Sequence, residues 1–218
     1  MLYIVATPIG NLKDITLRAL EVLKSVDVIL AEDTRVTRKL LSRYSIKTKL
    51  ESFHEHSSDK KMAQILSHLQ DGEKMAYVTD AGTPGISDPG GKLSSAAMAV
   101  GISVVPIPGP SAVTAIASVA GIKGSSFLFV GFLPHKKGKQ TLIKSFENLK
   151  YPVIFYEAPT RLMKTLIQIK EILGNRKVLI GRELTKQFEE IYKADVDSAI
   201  QYFSSKKPKG ELAIVLYL

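Results

Sequence analysis

The sequence predicts an α/β protein made of two α/β domains. Short β-rich runs alternate with amphipathic runs of helical period along the 218 residues. Glycine- and proline-rich turns sit where one kind of run hands over to the other. The character of the chain changes near residue 111. We therefore expect an N-terminal domain over 1–110 and a basic C-terminal domain over 111–218.

The elements follow in order. Tyr3 to Ala6 is a short β-rich run broken by Thr7-Pro8-Ile9-Gly10-Asn11. Asp14 or Thr16 can cap a helix that carries Leu17, Leu20 and Leu23 or Lys24 near one face. Val26 to Ala31 is almost continuously apolar, as expected of a parallel strand covered on both faces. It ends in Glu32-Asp33-Thr34-Arg35, and a basic helix is predicted from Val36 to Tyr44. Lys49 to Phe53 reads as a strand followed by His54-Glu55-His56-Ser57. Ser58 can cap the next helix, where Met62, Ile65, Leu66 and Leu69 form a core stripe ended by Gly72. The apolar run Met75 to Val78 leads into Val78–Gly90, a loop with three Gly, two Pro and two Asp. That stretch is too rich in turn formers for strand or helix, and its small residues let a ligand reach the backbone. A helix over Lys92 to Val100, a strand over Ile102 to Ile107 and the turn Pro108-Gly109-Pro110-Ser111 complete the half.

Ser111 can cap a helix over Ala112 to Ala120, whose free N–H groups suit a ligand. Phe127 to Phe132 is strand-like, followed by the basic loop His135-Lys136-Lys137-Gly138-Lys139 and a helix from Thr141 to Leu149. A strand over Pro152 to Tyr156 ends at Glu157-Ala158-Pro159-Thr160-Arg161. Leu162, Leu166, Ile169 and Leu173 mark a helix ended by Gly174. Lys177 to Ile180 is read as a strand, Val196 to Phe203 as a helix and Glu211 to Leu218 as the last strand.

Composition bounds the chemistry. The chain has no Cys, which removes disulfides, thiol nucleophiles and Cys-ligated metals and suits a reducing cytoplasm. No basic leader is read at Met1–Val5, and no apolar run approaches the roughly 18 residues of a membrane span. The net charge is +9 and unevenly placed. Residues 1–110 hold 13 Lys+Arg against 12 Asp+Glu, whereas 111–218 hold 17 against 9. Such an excess attracts a polyanion or simply solvates a surface. The turn after the first strand is not GxGxxG, and no GxxxxGK[ST] phosphate loop or GxSxG elbow is present. His54-Glu55-His56 lacks the spacing of a helical metal motif and reads as a polar loop or substrate contact, so no metal is expected. What remains is a set of small-residue loops at strand ends.

Eight motifs in order carry a resemblance. They are Thr7-Pro8-Ile9-Gly10-Asn11-Leu12, Ala31-Glu32-Asp33-Thr34-Arg35, Phe53-His54-Glu55-His56, Asp80-Ala81-Gly82-Thr83-Pro84, Pro108-Gly109-Pro110-Ser111, Tyr156-Glu157-Ala158-Pro159, Arg182-Glu183-Leu184-Thr185-Lys186 and Lys209-Gly210-Glu211. The chain resembles the small-subunit methyltransferase I family, 16S rRNA cytidine 2′-O-methyltransferases of the tetrapyrrole methylase superfamily, over essentially its full length. The resemblance implies two α/β domains of the tetrapyrrole methylase type, S-adenosylmethionine in the cleft between them, and a homodimer. It puts cofactor contacts at Pro8, Asp80, Gly82, Thr83, Pro84, Ile86, Ser87, Asp88, Ser111, Ala112, Tyr156, Glu157 and Ala213. Two departures stand out. The family commonly has His where Thr160 stands, and many members continue for several tens of residues beyond the final strand.

Methyl transfer to a ribose hydroxyl needs positioning and a base for the hydroxyl proton. Glu32, Asp33, Glu157 and Glu183 are the carboxylates at strand ends; Asp33 is preferred, with Arg35 orienting it or binding phosphate. Lys136, Lys137, Lys139, Arg161 and Arg182 are the expected RNA contacts. The alternatives are a superfamily methyltransferase acting on a tetrapyrrole or protein, and a binding module without catalysis.

Overall fold

A computed structural model describes residues 1–86, 88–124, 126–206 and 208–218. The chain divides into two units, Met1–Ser111 and Ala112–Leu218.

In the first unit, β1 (Leu2–Val5), β2 (Val28–Ala31), β3 (Lys49–Ser52), β4 (Met75–Val78) and β5 (Val104–Ile107) form one sheet in the order β3-β2-β4-β1-β5. Every pairing in it is parallel. The apolar runs of β2 and β4 are buried at every residue because helices cover both faces. Alternate side chains go to opposite layers. Ile29, Ala31, Ala76 and Val78 pack with α1 (Leu17–Ser25) and α2 (Thr34–Arg43). Val28, Leu30, Met75 and Tyr77 pack with α3 (Asp59–Gln70) and α4 (Gly90–Ala99). Thr16 caps α1 by accepting from the Ala19 N–H at 3.1 Å, and Ser58 caps α3 by accepting from Lys61 at 3.2 Å. Leu17, expected near one face of α1 with Leu20 and Leu23, is exposed; Ala19 and Leu23 are the buried positions.

The second unit has α5 (Ala112–Ala120), β6 (Leu128–Phe132), α6 (Lys139–Ser145), β7 (Val153–Glu157), α7 (Leu162–Leu173), β8 (Lys177–Arg182), β9 (Glu190–Asp195), α8 (Val196–Ser205) and β10 (Leu212–Leu216). Its sheet order is β6-β7-β10-β8-β9. Only β6 and β7 run parallel; the other neighbours are antiparallel. Helices α6, α7 and α8 cover one face, and α5 packs on Ile154, Leu179, Ala213 and Val215 of the other.

The second unit corrects the sequence reading in three places. β8 runs on through Gly181 and Arg182, and β9 was not foreseen. It is an edge strand of charged and apolar residues whose polar content suits a solvated rim and hides it from an apolar-run search. Helix α6 starts at Lys139, and residues 146–149 leave the helix in turns rather than extending it.

The segment before β10 is tied to the end of β8. The Glu183 N–H donates to Glu211 O and the Glu211 N–H to Glu183 Oε1, both at 3.0 Å. Lys186 bridges the Glu183 and Glu211 carboxylates at 2.9 and 3.0 Å. Gly210, at φ +87°, leaves room for this carboxylate; a Cβ there would meet Glu183 Oε1 at 2.1 Å. Gly210→Ala is expected to destabilise the protein by about 1–3 kcal/mol in urea unfolding. Gly101→Ala, also at positive φ but with nothing within 4 Å, should cost less. Equal losses would mean that the Glu183 contact contributes nothing.

Candidate functional site

Because the first sheet is wholly parallel, the loops after its five strands leave the same edge, where open α/β sheets bind ligands. Backbone hydrogen bonds join them. Thr7 and Gly82 exchange N–H···O bonds of 2.9 and 3.0 Å, tying the loop after β1 to the loop after β4. Gly82 has φ +86°, and a Cβ on it would meet Ile9 Cγ2 at 3.2 Å, Pro110 O at 3.7 Å and Ser111 Cα at 3.9 Å. Thr83 Oγ1 donates to Pro110 O at 3.0 Å, which adds the loop after β5. The Asp33 N–H donates to Asp80 Oδ1 at 3.0 Å, and Thr79 Oγ1 donates to Glu32 Oε2 at 2.6 Å, which adds the loop after β2. The structure thus gathers the segments bearing Pro8, Asp33, Arg35, Asp80, Gly82, Thr83, Pro84 and Ser111.

Their side chains have different duties. Pro8 and Pro84 are buried, Thr83 is half-buried, and Ile86 is 42% exposed on the loop. Asp88 is a staple: its carboxylate accepts from the Gly85 N–H at 2.9 and 2.8 Å and from the Gly90 N–H at 2.8 Å. These bonds hold the loop's shape. Ser87 lies outside the described residues. Tyr77, beneath this loop, has a buried hydroxyl without a hydrogen-bond partner among the described residues. Burial, then the charges of Asp88, Glu32 and Asp80, raises its pKa, so it stays a neutral donor.

Asp33, the base preferred on sequence, is engaged at both carboxylate oxygens. It caps α2 by accepting from the Arg35 N–H at 2.8 Å, and the Arg35 guanidinium grips both carboxylate oxygens at 2.6–3.1 Å. This grip lowers its pKa to about 2, and a carboxylate that acidic is a poor proton acceptor. Arg35 is spent on the same pair. Asp80 has the opposite environment: burial, then the neighbouring Glu32 charge, raises its pKa above 3.8. Sequence alone does not single it out as a base because the shift comes from desolvation in the folded loop and then from Glu32, 48 positions away on a different loop. The His54 and His56 rings lie 6.3 Å apart, and among the described residues no group of three or more His, Asp or Glu is placed to hold a metal.

In the second unit Glu157 ends β7 with its side chain 0% exposed. Oε1 meets Arg161 Nη2 at 2.5 Å and accepts from the Ala158 N–H at 2.9 Å. Oε2 meets Lys139 Nζ at 3.3 Å and the Thr165 hydroxyl at 2.5 Å. A carboxylate so enclosed has its oxygens satisfied within the unit and serves there as a charge centre. Lys139 belongs to the same cluster. It is 5% exposed, and burial pulls its pKa below the ordinary lysine value. Arg161 is likewise turned inward, with Nη1 donating to Leu133 O at 3.1 Å. Arg182 pairs with Glu190 at 2.8 Å, and Glu183, a remaining candidate base, is held by Lys186 with its pKa lowered. Of the five expected RNA contacts, Lys136 and Lys137 alone stand exposed and outside any ion pair among the described residues. Ala213 is buried on β10 opposite Tyr156, which packs edge-on against Phe129 and Phe132; Ala112 opens α5. Thr165 was missed because a helical threonine carries no sign of a partner on another strand.

Removing one member of a buried ion pair leaves uncompensated charge. Glu157→Gln is expected to lower unfolding free energy by about 3–5 kcal/mol, against about 0.5 or less for Lys136→Ala, measured by urea denaturation. Normal stability with lost turnover in Glu157→Gln would instead make Glu157 a reactive group.

Comparison with known proteins agrees with this geometry. Residues 1–200 match the tetrapyrrole (corrin/porphyrin) methylases. A ribosomal RNA small subunit methyltransferase I from Thermotoga maritima is 50% identical over 215 residues, covering 99% of this chain and 97% of its own length. Proteins of the same name from Mesorhizobium japonicum and Borrelia garinii are 46% and 48% identical; the chain covers 74% of the first and 98% of the second, so relatives of both lengths exist. Among solved structures, the methyltransferase CobJ superposes with a TM-score of 0.73 at 16% identity, over 99% of this chain and 92% of its own. A uroporphyrin-III C-methyltransferase from Thermus thermophilus, complexed with S-adenyl homocysteine, gives 0.68 at 18% identity, over 98% and 96%. At those identities the likeness is one of fold. The match over residues 1–200 and the near-full-length identities place this chain in the tetrapyrrole methylase family, among its small-subunit ribosomal RNA methyltransferase I members.

Proposed function

We propose that the protein methylates the 2′-hydroxyl of a cytidine ribose in the 16S rRNA of the small ribosomal subunit, with S-adenosylmethionine as donor. The observation that carries this is the 50% identity to a ribosomal RNA small subunit methyltransferase I across 97% of that relative. The joined loops of the first unit suit the cofactor. Its ammonium, ribose hydroxyls and adenine amino group are donors, and these loops offer backbone carbonyls and the exposed apolar Ile86. Gly82 and Gly85, both at φ +86°, keep the loop backbone open to close approach. We assign cofactor binding to this loop with Pro8 and Ser111; contacts at Ala112, Tyr156, Glu157 and Ala213 are what the resemblance implies. When bound, the cofactor supplies an activated methyl on a sulfonium.

The chain's own part is to orient that methyl and to take the hydroxyl proton. Asp80 is the acceptor we assign, since its raised pKa makes it the stronger base of the Asp33–Asp80 pair. Asp33 and Arg35 hold the loop. Lys136 and Lys137 contact RNA phosphate. A homodimer and a cytoplasmic setting, where ribosomal subunits are found, belong to the same proposal. Among the described residues no helix is long and apolar enough to cross a membrane.

The test is transfer of labelled methyl to purified small subunits, with a uroporphyrinogen as the rival substrate. Label on the RNA alone is expected; label on the tetrapyrrole alone would overturn the assignment, and cofactor binding with no transfer to either would favour a binding module. In single turnover, Asp80→Asn should fall about 100-fold or more, whereas Asp33→Asn should fall less than about tenfold, because Asn still caps a helix. The base must be unprotonated, so the parent rate should fall as pH drops through the Asp80 pKa, above 3.8. A limb that disappears in Asp33→Asn but not in Asp80→Asn would reverse the two roles.

A further inference from the structure

The turn between β8 and β9 holds an aromatic ring in water. Phe188 is 68% exposed, against 55% for Phe132 and 38% for Phe127 and Tyr151. The turn that carries it is firmly held. Glu183 and Thr185 take φ of +52° and +66°, and such angles are outliers for a β-branched residue. The Thr185 N–H donates to Glu189 Oε2 at 2.5 Å, and the Glu189 N–H donates to Lys186 O at 3.1 Å. Lys186 is anchored to Glu183 and Glu211. Strained backbone fixed by its neighbours concentrates at functional sites.

A cavity of about 570 Å³ lies beside the ring, lined also by Arg182, Glu190, Lys206 and Lys209. That volume is in the range of small-ligand pockets, about 300–1,000 Å³. Its charges are sorted. Arg182 is neutralised by Glu190. Lys206 lies over the Tyr202 ring, 4.3 Å from its centroid, and donates to the Tyr202 hydroxyl at 2.7 Å. Lys209 is exposed and makes no ion pair among the described residues. An acidic peptide would use the lysines and leave the ring unexplained. An apolar partner would use the ring and bury the lysines at a cost. An unpaired nucleotide uses both: its base has a π face for Phe188 and its phosphate a charge for Lys209.

We propose that Phe188 and Lys209 form a binding site for an unpaired nucleotide of single-stranded RNA, separate from Lys136 and Lys137. This rests on the RNA methyltransferase assignment above. The test uses the full chain and fluorescence anisotropy with a short labelled single-stranded RNA and the same RNA as a duplex. Phe188→Ala should weaken single-strand binding about 5- to 100-fold and duplex binding much less. Phe188→Trp should restore it, since any aromatic face can stack. Lys209→Ala should reduce the slope of log affinity against log salt by about 0.7. Parent-like binding by Phe188→Ala overturns the proposal. So does failure of Phe188→Trp to rescue, or a changed oligomeric state by light scattering with RNA affinity intact. Methyl transfer separates the two levels. If the parent methylates small subunits and Phe188→Ala matches it in KM and kcat, only the nucleotide site is lost. If the parent transfers no methyl to small subunits, the assignment beneath it fails instead.

Discussion

Two backbone hydrogen bonds between Thr7 and Gly82 hold the first unit's loops in one arrangement. They depend on a glycine. Gly82 has positive φ, which strains any other residue, and a Cβ there would crowd Ile9. Around that contact the loops after β1, β2, β4 and β5 become a single surface at the carboxyl edge of the parallel sheet rather than four independent loops. Asp88, Thr83 and Asp80 then fix the rest by bonds to backbone N–H and C=O groups. Such a surface needs few large side chains to define a ligand's position, because the groups that face the ligand belong to a backbone already held in place.

The second unit uses charge differently. Its basic excess suggests an open cationic face, but three of the five cations expected to meet RNA are engaged within the unit. Lys139 and Arg161 converge on the enclosed Glu157 carboxylate, and Arg161 also holds the Leu133 carbonyl. Residues 134–138 therefore run between two points tied to one buried carboxylate. Lys136 and Lys137 are thus presented from a stretch anchored on both sides, which limits the entropy lost when they meet an anion. The charges that hold the scaffold and the charges offered to a ligand are neighbours in sequence and opposite in burial.

Much of the fold was legible because its signals are local. The apolar runs of β2 and β4 announce strands covered on both faces, and Thr16 and Ser58 announce helix starts. The loop set was legible through its turn formers. What escaped depends on distant partners. A lysine in a basic loop reads as solvated unless Glu157 and Thr165 are known to surround it. Asp33 looks like a base until the geometry of Arg35 shows how far its acidity is raised. β9 was missed because an edge strand can alternate charged and apolar residues without an apolar run, and Phe188 stands alone in the polar turn before it.

The claim on which the account rests is that this chain methylates one ribose of small-subunit RNA. Nuclease digestion and mass spectrometry of that RNA, from a strain lacking the protein and from its parent, test it most directly. The account predicts loss of a single 2′-O-methylated cytidine, restored by the intact chain and not by its Asp80→Asn form. An unchanged inventory of ribose methyls in the deletion strain would contradict it.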